Sequence, residues 1–150
     1  MSSYTIFLSL HNLIRWATLV LGAFAVFRAG TGLLAKGVWL PSDDKARKLF
    51  PIALDIQFTV GIILSLLSPL VKAAWSNLSV AMTDHAMRFY AVEHGFIGIV
   101  ALVLVHVGSV RIRRTKDVRI KFKTMFTFYG LAFLMIAIRI PWDRPLFRIP

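Results

Sequence analysis

The sequence predicts an all-α integral membrane protein, a four-helix up-down-up-down bundle that forms one domain over residues 1–150. Three observations predict it. Hydrophobic residues make up 57% of the chain and mean hydropathy is +0.70, where a soluble domain is about 45–50% apolar. Four apolar runs each reach the roughly 20 residues needed to cross a hydrocarbon core. Lysine and arginine gather in alternate connections, the pattern that topology imposes on membrane proteins.

The first run covers about residues 4–27. A secretory signal would begin with basic residues and end in a small-residue cleavage site. Here Met1-Ser2-Ser3-Tyr4 carries no basic side chain, and His11 and Arg15 interrupt the apolar run, so it reads as a retained helix. The second run covers about residues 50–71, with Ser68-Pro69 at its far end, where proline costs little. Ahead of it, Trp39-Leu40-Pro41-Ser42-Asp43-Asp44 combines a proline with capping residues and predicts a short interfacial helix. The third run covers about residues 89–110 and the fourth about 122–142. Pro141, Pro145 and Pro150 then predict an extended tail. Trp39, Trp75 and Trp142 fall at predicted boundaries, where indoles settle between lipid and water. Gly22, Gly61, Gly95, Gly98 and Gly130 are candidates for close helix contacts.

Orientation follows from charge. The connection between the first two helices holds Arg28, Lys36, Lys45, Arg47 and Lys48. That between the last two holds Arg111, Arg113, Arg114, Lys116, Arg119, Lys121 and Lys123. Together these are twelve of the eighteen basic residues. Both connections are therefore expected on the cytoplasmic side, with the N-terminus, the C-terminus and the middle connection outside. The net charge of +11 is accounted for by topology, which removes the argument for a nucleic-acid partner and leaves the lipid bilayer.

Several chemistries are excluded outright. With no cysteine there is no disulfide, thiolate-held cluster, covalently attached haem or cysteine nucleophile. No phosphate-cradling glycine loop and no His-Glu-x-x-His zinc pattern occurs. No residue is assigned a catalytic role.

The informative residues are ionisable groups inside apolar runs, which are costly there and face the bundle interior or a ligand. His11 and Arg15 are four apart, so they stack on one helical face about 6 Å apart along the axis, with Asn12 beside them. Glu93 and His94 stand near the outer end of the third helix, and Arg139 near the outer end of the fourth. His11, Glu93, His94 and Arg139 form one expected outer layer, with Arg15 below it. Asp55, Gln57 and His106 form an expected inner layer, in which an Asp55–His106 pair satisfies both groups. His85, at a helix entrance, is expected to be solvated or capping.

Three readings of the outer layer stand open at this point. In one, His11 and His94 are the iron ligands of a b-type haem, Gly95 and Gly98 leave room for the flat macrocycle, and Arg15, Arg88 or Arg139 neutralises its propionates. In the second, Glu93 pairs with Arg15 or Arg139 and the histidines complete a structural network with no cofactor. In the third, the layer is a quinone or proton site.

The segments Leu10-His11-Asn12-Leu13-Ile14-Arg15-Trp16, Leu54-Asp55-Ile56-Gln57, Arg88-Phe89-Tyr90-Ala91-Val92-Glu93-His94 and Arg139-Ile140-Pro141-Trp142 resemble small bacterial four-helix membrane proteins labelled cytochrome-b-like. The resemblance covers nearly the whole chain. In some members of that group a histidine stands where this chain has Asp55, a departure at that position. The resemblance implies a multi-pass protein of the bacterial inner membrane. It further implies an accessory subunit of a larger respiratory or photosynthetic electron-transfer complex, such as a quinol-oxidising alternative complex III.

Overall fold

The computed structural model describes residues 2–140 and 142. Helix α1 (Ser3–Leu34) begins where the Ser2 hydroxyl accepts the Thr5 N–H. Helix α2 is Pro41–Leu67. Three short helices follow, α3 (Pro69–Ser76), α4 (Leu78–Thr83) and α5 (His85–Arg88). A π-helical segment, Phe89–Glu93, joins α5 to α6 (His94–Arg114), and α7 (Val118–Ile138) closes the order. Four helices are long and apolar enough to cross a membrane: α1, α2, the run His85–Arg114, and α7. The protein is a multi-pass four-helix membrane bundle.

Short connections make chain neighbours antiparallel, and the packing follows. Helix α1 lies against α2 and α7, α7 lies against α6, and the α2–α6 side is the least closely packed. Helices α1 and α6 therefore face each other diagonally across the interior. The two arginine- and lysine-rich connections share one end of the bundle, the basic end. Helices α3, α4 and α5 occupy the other.

The basic end departs from the sequence expectation in one respect. No separate interfacial helix precedes the second span; α2 runs unbroken from Pro41 through Pro51. Two contacts explain this. The fully buried Asp43 carboxylate accepts the Leu40 N–H at 2.8 Å and the Arg28 Nε–H at 2.8 Å, so it caps α2 and ties it to α1 together. Pro51 has no N–H to donate to the Arg47 carbonyl one turn earlier. The buried Tyr129 hydroxyl donates to that carbonyl at 2.7 Å and removes the penalty.

Packing is closest here as well. Ala25, Ala29 and Ala46 let the helices approach, and Phe50 and Tyr129 meet edge to face with ring centres 5.5 Å apart. Gly32 lies under the buried Phe122 ring so closely that any β-carbon would overlap it. At Gly108 a β-carbon would stand 2.7 Å from Phe128. Arg47 reaches from α2 to the Ser109 hydroxyl of α6 at 3.1 Å.

The middle connection is not a plain loop but three capped helices. Ser68 accepts from the Val71 N–H, Asn77 from that of Val80, and Asp84 from that of Met87. His85 opens α5, exposed, with its ring stacked near Phe89. The expected extended tail at Pro141, Pro145 and Pro150 lies outside the described residues.

Candidate functional site

At the end opposite the basic one the helices separate around a cavity of about 340 Å³ between α1, α2 and α6. Its walls are mostly aliphatic. Among its polar groups are His11, Asn12 and Arg15 from α1, Gln57 from α2, Tyr90 from the π-helical segment and His94 from α6, with Arg139 past the end of α7. Spacing sets each position. His11 and Arg15 share a face of α1, and the i, i+3, i+4, i+7 series Leu54, Gln57, Phe58 and Gly61 turns one face of α2 inward. The π-helical segment ends immediately before His94; inserting such a turn rotates the helix beyond it, a feature common at functional sites.

His11 and His94 meet across the diagonal. Their ring centres are 6.2 Å apart and their planes are inclined at 68°. One His11 ring nitrogen, Nε2, is hydrogen-bonded to the Gln57 amide at 3.1 Å, while Nδ1 is buried with no hydrogen-bond partner among the described residues. Arg15, 7% exposed, forms no ion pair with a carboxylate among the described residues, and its Nε lacks a hydrogen-bond partner there.

Glu93 does not pair with Arg15. It bridges Arg88 at 2.9 Å and Arg139 at 3.2 Å, closing a three-residue network at the cavity rim. The charge network expected in the outer layer is thus present without either histidine and without Arg15. Asp55 and His106 form their expected pair, at 2.8 Å. Asp55 stands mid-helix, because α2 begins at Pro41; about 20 Å of helix lies on either side of it. Gln57, expected beside Asp55, belongs instead to the histidine site. Residues two apart on a helix point to different faces, and that spacing was the signal.

The small residues also sort themselves. A β-carbon at Gly22 would stand 2.8 Å from both Phe50 and Phe133, at Gly61 3.1 Å from the His11 ring, and at Gly98 3.1 Å from Phe58. Gly95 and Gly130 face nothing within 4 Å, so neither marks a close helix contact. Gly95 instead enlarges the cavity it lines.

Two imidazoles from different helices on one cavity are a donor set that haem iron accepts. The two rings, 6.2 Å apart, are close enough for one metal-bearing group to take a nitrogen from each. Metal-binding histidines have one ring nitrogen oriented by a hydrogen-bonding group and the other left for the metal. Gln57 stands in that relation to His11 once its amide is turned so that the otherwise unpartnered Oε1 accepts the ring N–H.

Comparison with protein-family models, with curated proteins and with solved structures returns no match.

Proposed function

We propose that this chain is an electron-transfer subunit of a bacterial inner-membrane respiratory or photosynthetic complex that carries one b-type haem between His11 and His94. The observation that carries the reading is the meeting of these two rings, from diagonal helices, in a cavity that the rim network leaves unspent. A purely structural network would use the buried polar groups on one another, because leaving them unpaired in hydrocarbon is costly. Here Glu93, Arg88 and Arg139 satisfy themselves, and the His11 Nδ1 and Arg15 Nε atoms remain unpartnered among the described residues.

Haem supplies a one-electron couple when bound. Each group of the chain then has a task. His11 and His94 would hold the iron through their ring nitrogens, Gln57 would orient the His11 ring, and the buried Arg15 guanidinium would offset propionate charge. Arg139 offers a second cation at the rim. The aliphatic walls exclude water and hold the site at low dielectric, which favours a cofactor that exchanges electrons without exchanging ligands. By the distribution of lysine and arginine, the basic end faces the cytoplasm and the haem lies toward the outer face.

The test is a dithionite-reduced minus oxidised spectrum of the protein purified after expression with added haem, with pyridine haemochrome quantitation. A sharp b-type α-band at one haem per chain is expected. A colourless, helical, monodisperse protein would overturn the reading.

A further inference from the structure

The basic end carries more cations than its carboxylates use. Among the described residues those carboxylates are Asp43, Asp44 and Asp117, and each is committed. Asp43 holds Arg28 and caps α2, and Asp44 holds Arg47 and Lys48. Asp117 caps α7, accepting the Ile120 N–H at 3.0 Å. Two other cations lie over aromatic rings, Arg111 at 5.0 Å from the centre of Phe128 and Lys121 at 5.4 Å from that of Trp39. Arg119 and Lys123 are placed differently. They stand four residues apart on α7, about 6 Å along its axis, both exposed. Neither forms an ion pair among the described residues. With Ile120 and with Leu33 of α1 they line a shallow, open depression between the two helices.

Topology accounts for basic residues in these connections, but it sets no helical phase. Here two cations share one side of a helix, beside apolar side chains, within its first two turns. The helix dipole opposes cations at that end and favours an anion. No acidic residue lies in the first turn of α7; the Asp117 cap precedes it. The level is that of lipid headgroups. Trp39 packs on Phe122 with ring centres 5.0 Å apart, an indole marks the boundary between hydrocarbon and water, and Lys123 follows Phe122 directly. One turn further into the hydrocarbon, Phe126 lies beside Gly30, where a β-carbon would stand 3.4 Å from its ring, and both Phe126 and Phe27 are exposed. We propose that this depression between α1 and α7 binds one anionic phospholipid, its phosphate held by Arg119 and Lys123 and its chains starting against Leu33 and Ile120. Charge and apolar surface together name the occupant. Two cations without a carboxylate call for an anion, the adjoining apolar side chains call for hydrocarbon, and a phospholipid carries both. Basic pockets between membrane helices bind such headgroups. The site lies at the opposite end from the histidine cavity and does not depend on the haem reading.

The purified chain in detergent is titrated with dioleoylphosphatidylglycerol, and native mass spectrometry counts the lipid bound. One saturable phosphatidylglycerol is expected, with dioleoylphosphatidylcholine held clearly more weakly. Arg119→Gln with Lys123→Gln is expected to weaken phosphatidylglycerol binding about thirtyfold, roughly fivefold for each cation near an anionic headgroup. A second pair, Arg113→Gln with Lys116→Gln, removes the same charge from the same end, and neither residue lines the depression. That pair should leave binding unchanged. All four side chains are exposed, so both variants should fold, which circular dichroism checks. Glycerol phosphate, which carries the anion without the chains, should not displace the lipid. Absence of saturable binding, equal binding of the two lipids, equal loss in the two variants, or displacement by glycerol phosphate would each overturn the proposal.

Discussion

The two ends of this bundle use the same four helices in opposite ways. At the basic end, alanines and glycines bring backbones together, and large rings fill what remains: Phe50 against Tyr129, and Phe122 over Gly32. At the histidine end, small residues stand beside polar ones, and the space they leave stays open. What differs is how closely a ring approaches: a β-carbon would overlap Phe122 at Gly32 and stand 2.7 Å from Phe128 at Gly108, but 3.1 Å from a ring at Gly61 and Gly98 and within 4 Å of nothing at Gly95. A glycine facing a ring makes a clamp. At Gly95 the open side belongs to the cavity.

That contrast is open to direct attack, beginning where the largest effect is expected. Gly32→Leu drives a side chain into the immobile Phe122 ring, and overpacking of this kind costs about 3 kcal/mol or prevents folding. Chemical unfolding in micelles, followed by tryptophan fluorescence, measures it. Tyr129→Phe comes next. It strips the donor from the Arg47 carbonyl that Pro51 leaves unserved, at a cost of about 1–3 kcal/mol. The same change in a Pro51→Ala background should cost clearly less, because the restored N–H takes over that carbonyl. Equal costs in the two backgrounds would show that the proline and the hydroxyl are uncoupled.

At the other end the sign of the comparison reverses. Glu93→Gln, at the rim, is expected to leave global unfolding unchanged while speeding amide hydrogen exchange in residues 82–93, because Arg88 is released and the tie to Arg139 is lost. Uniform exchange across that segment before and after the change would remove Glu93 as its latch. Gly95→Leu should be the mildest of all in stability, within about 0.5 kcal/mol, because its new side chain enters open space. Its effect belongs in haem content, which falls as the cavity fills. A loss of stability comparable to that of Gly32→Leu would erase the distinction between the two ends.

Much of this was legible in the sequence, for identifiable reasons. Apolar runs and the placement of lysine and arginine respond to the bilayer alone, so four spans and their alternation follow without tertiary knowledge. Depth arithmetic likewise put His11 and His94 at matching levels. Other features depend on contacts between residues distant in sequence. Whether α2 continues through Pro51 turns on Tyr129, 78 positions further along. The start of α2 turns on a buried Asp43 that answers Arg28 on another helix. The partner of Glu93 depended on the rotation that the π-helical segment imposes, which the apolar pattern does not encode. Gln57 was misplaced because a layer was read by depth where helical phase decided.

The central claim is that His11 and His94 together ligate one haem iron, and low-temperature EPR of the oxidised protein beside its single-histidine variants tests it most directly. A bis-imidazole site gives a low-spin ferric signal in the unaltered protein. His11→Ala and His94→Ala should each abolish that signal, leaving a high-spin centre or no haem. A low-spin signal that survives both substitutions, or its absence from haem-loaded unaltered protein, would contradict the assignment.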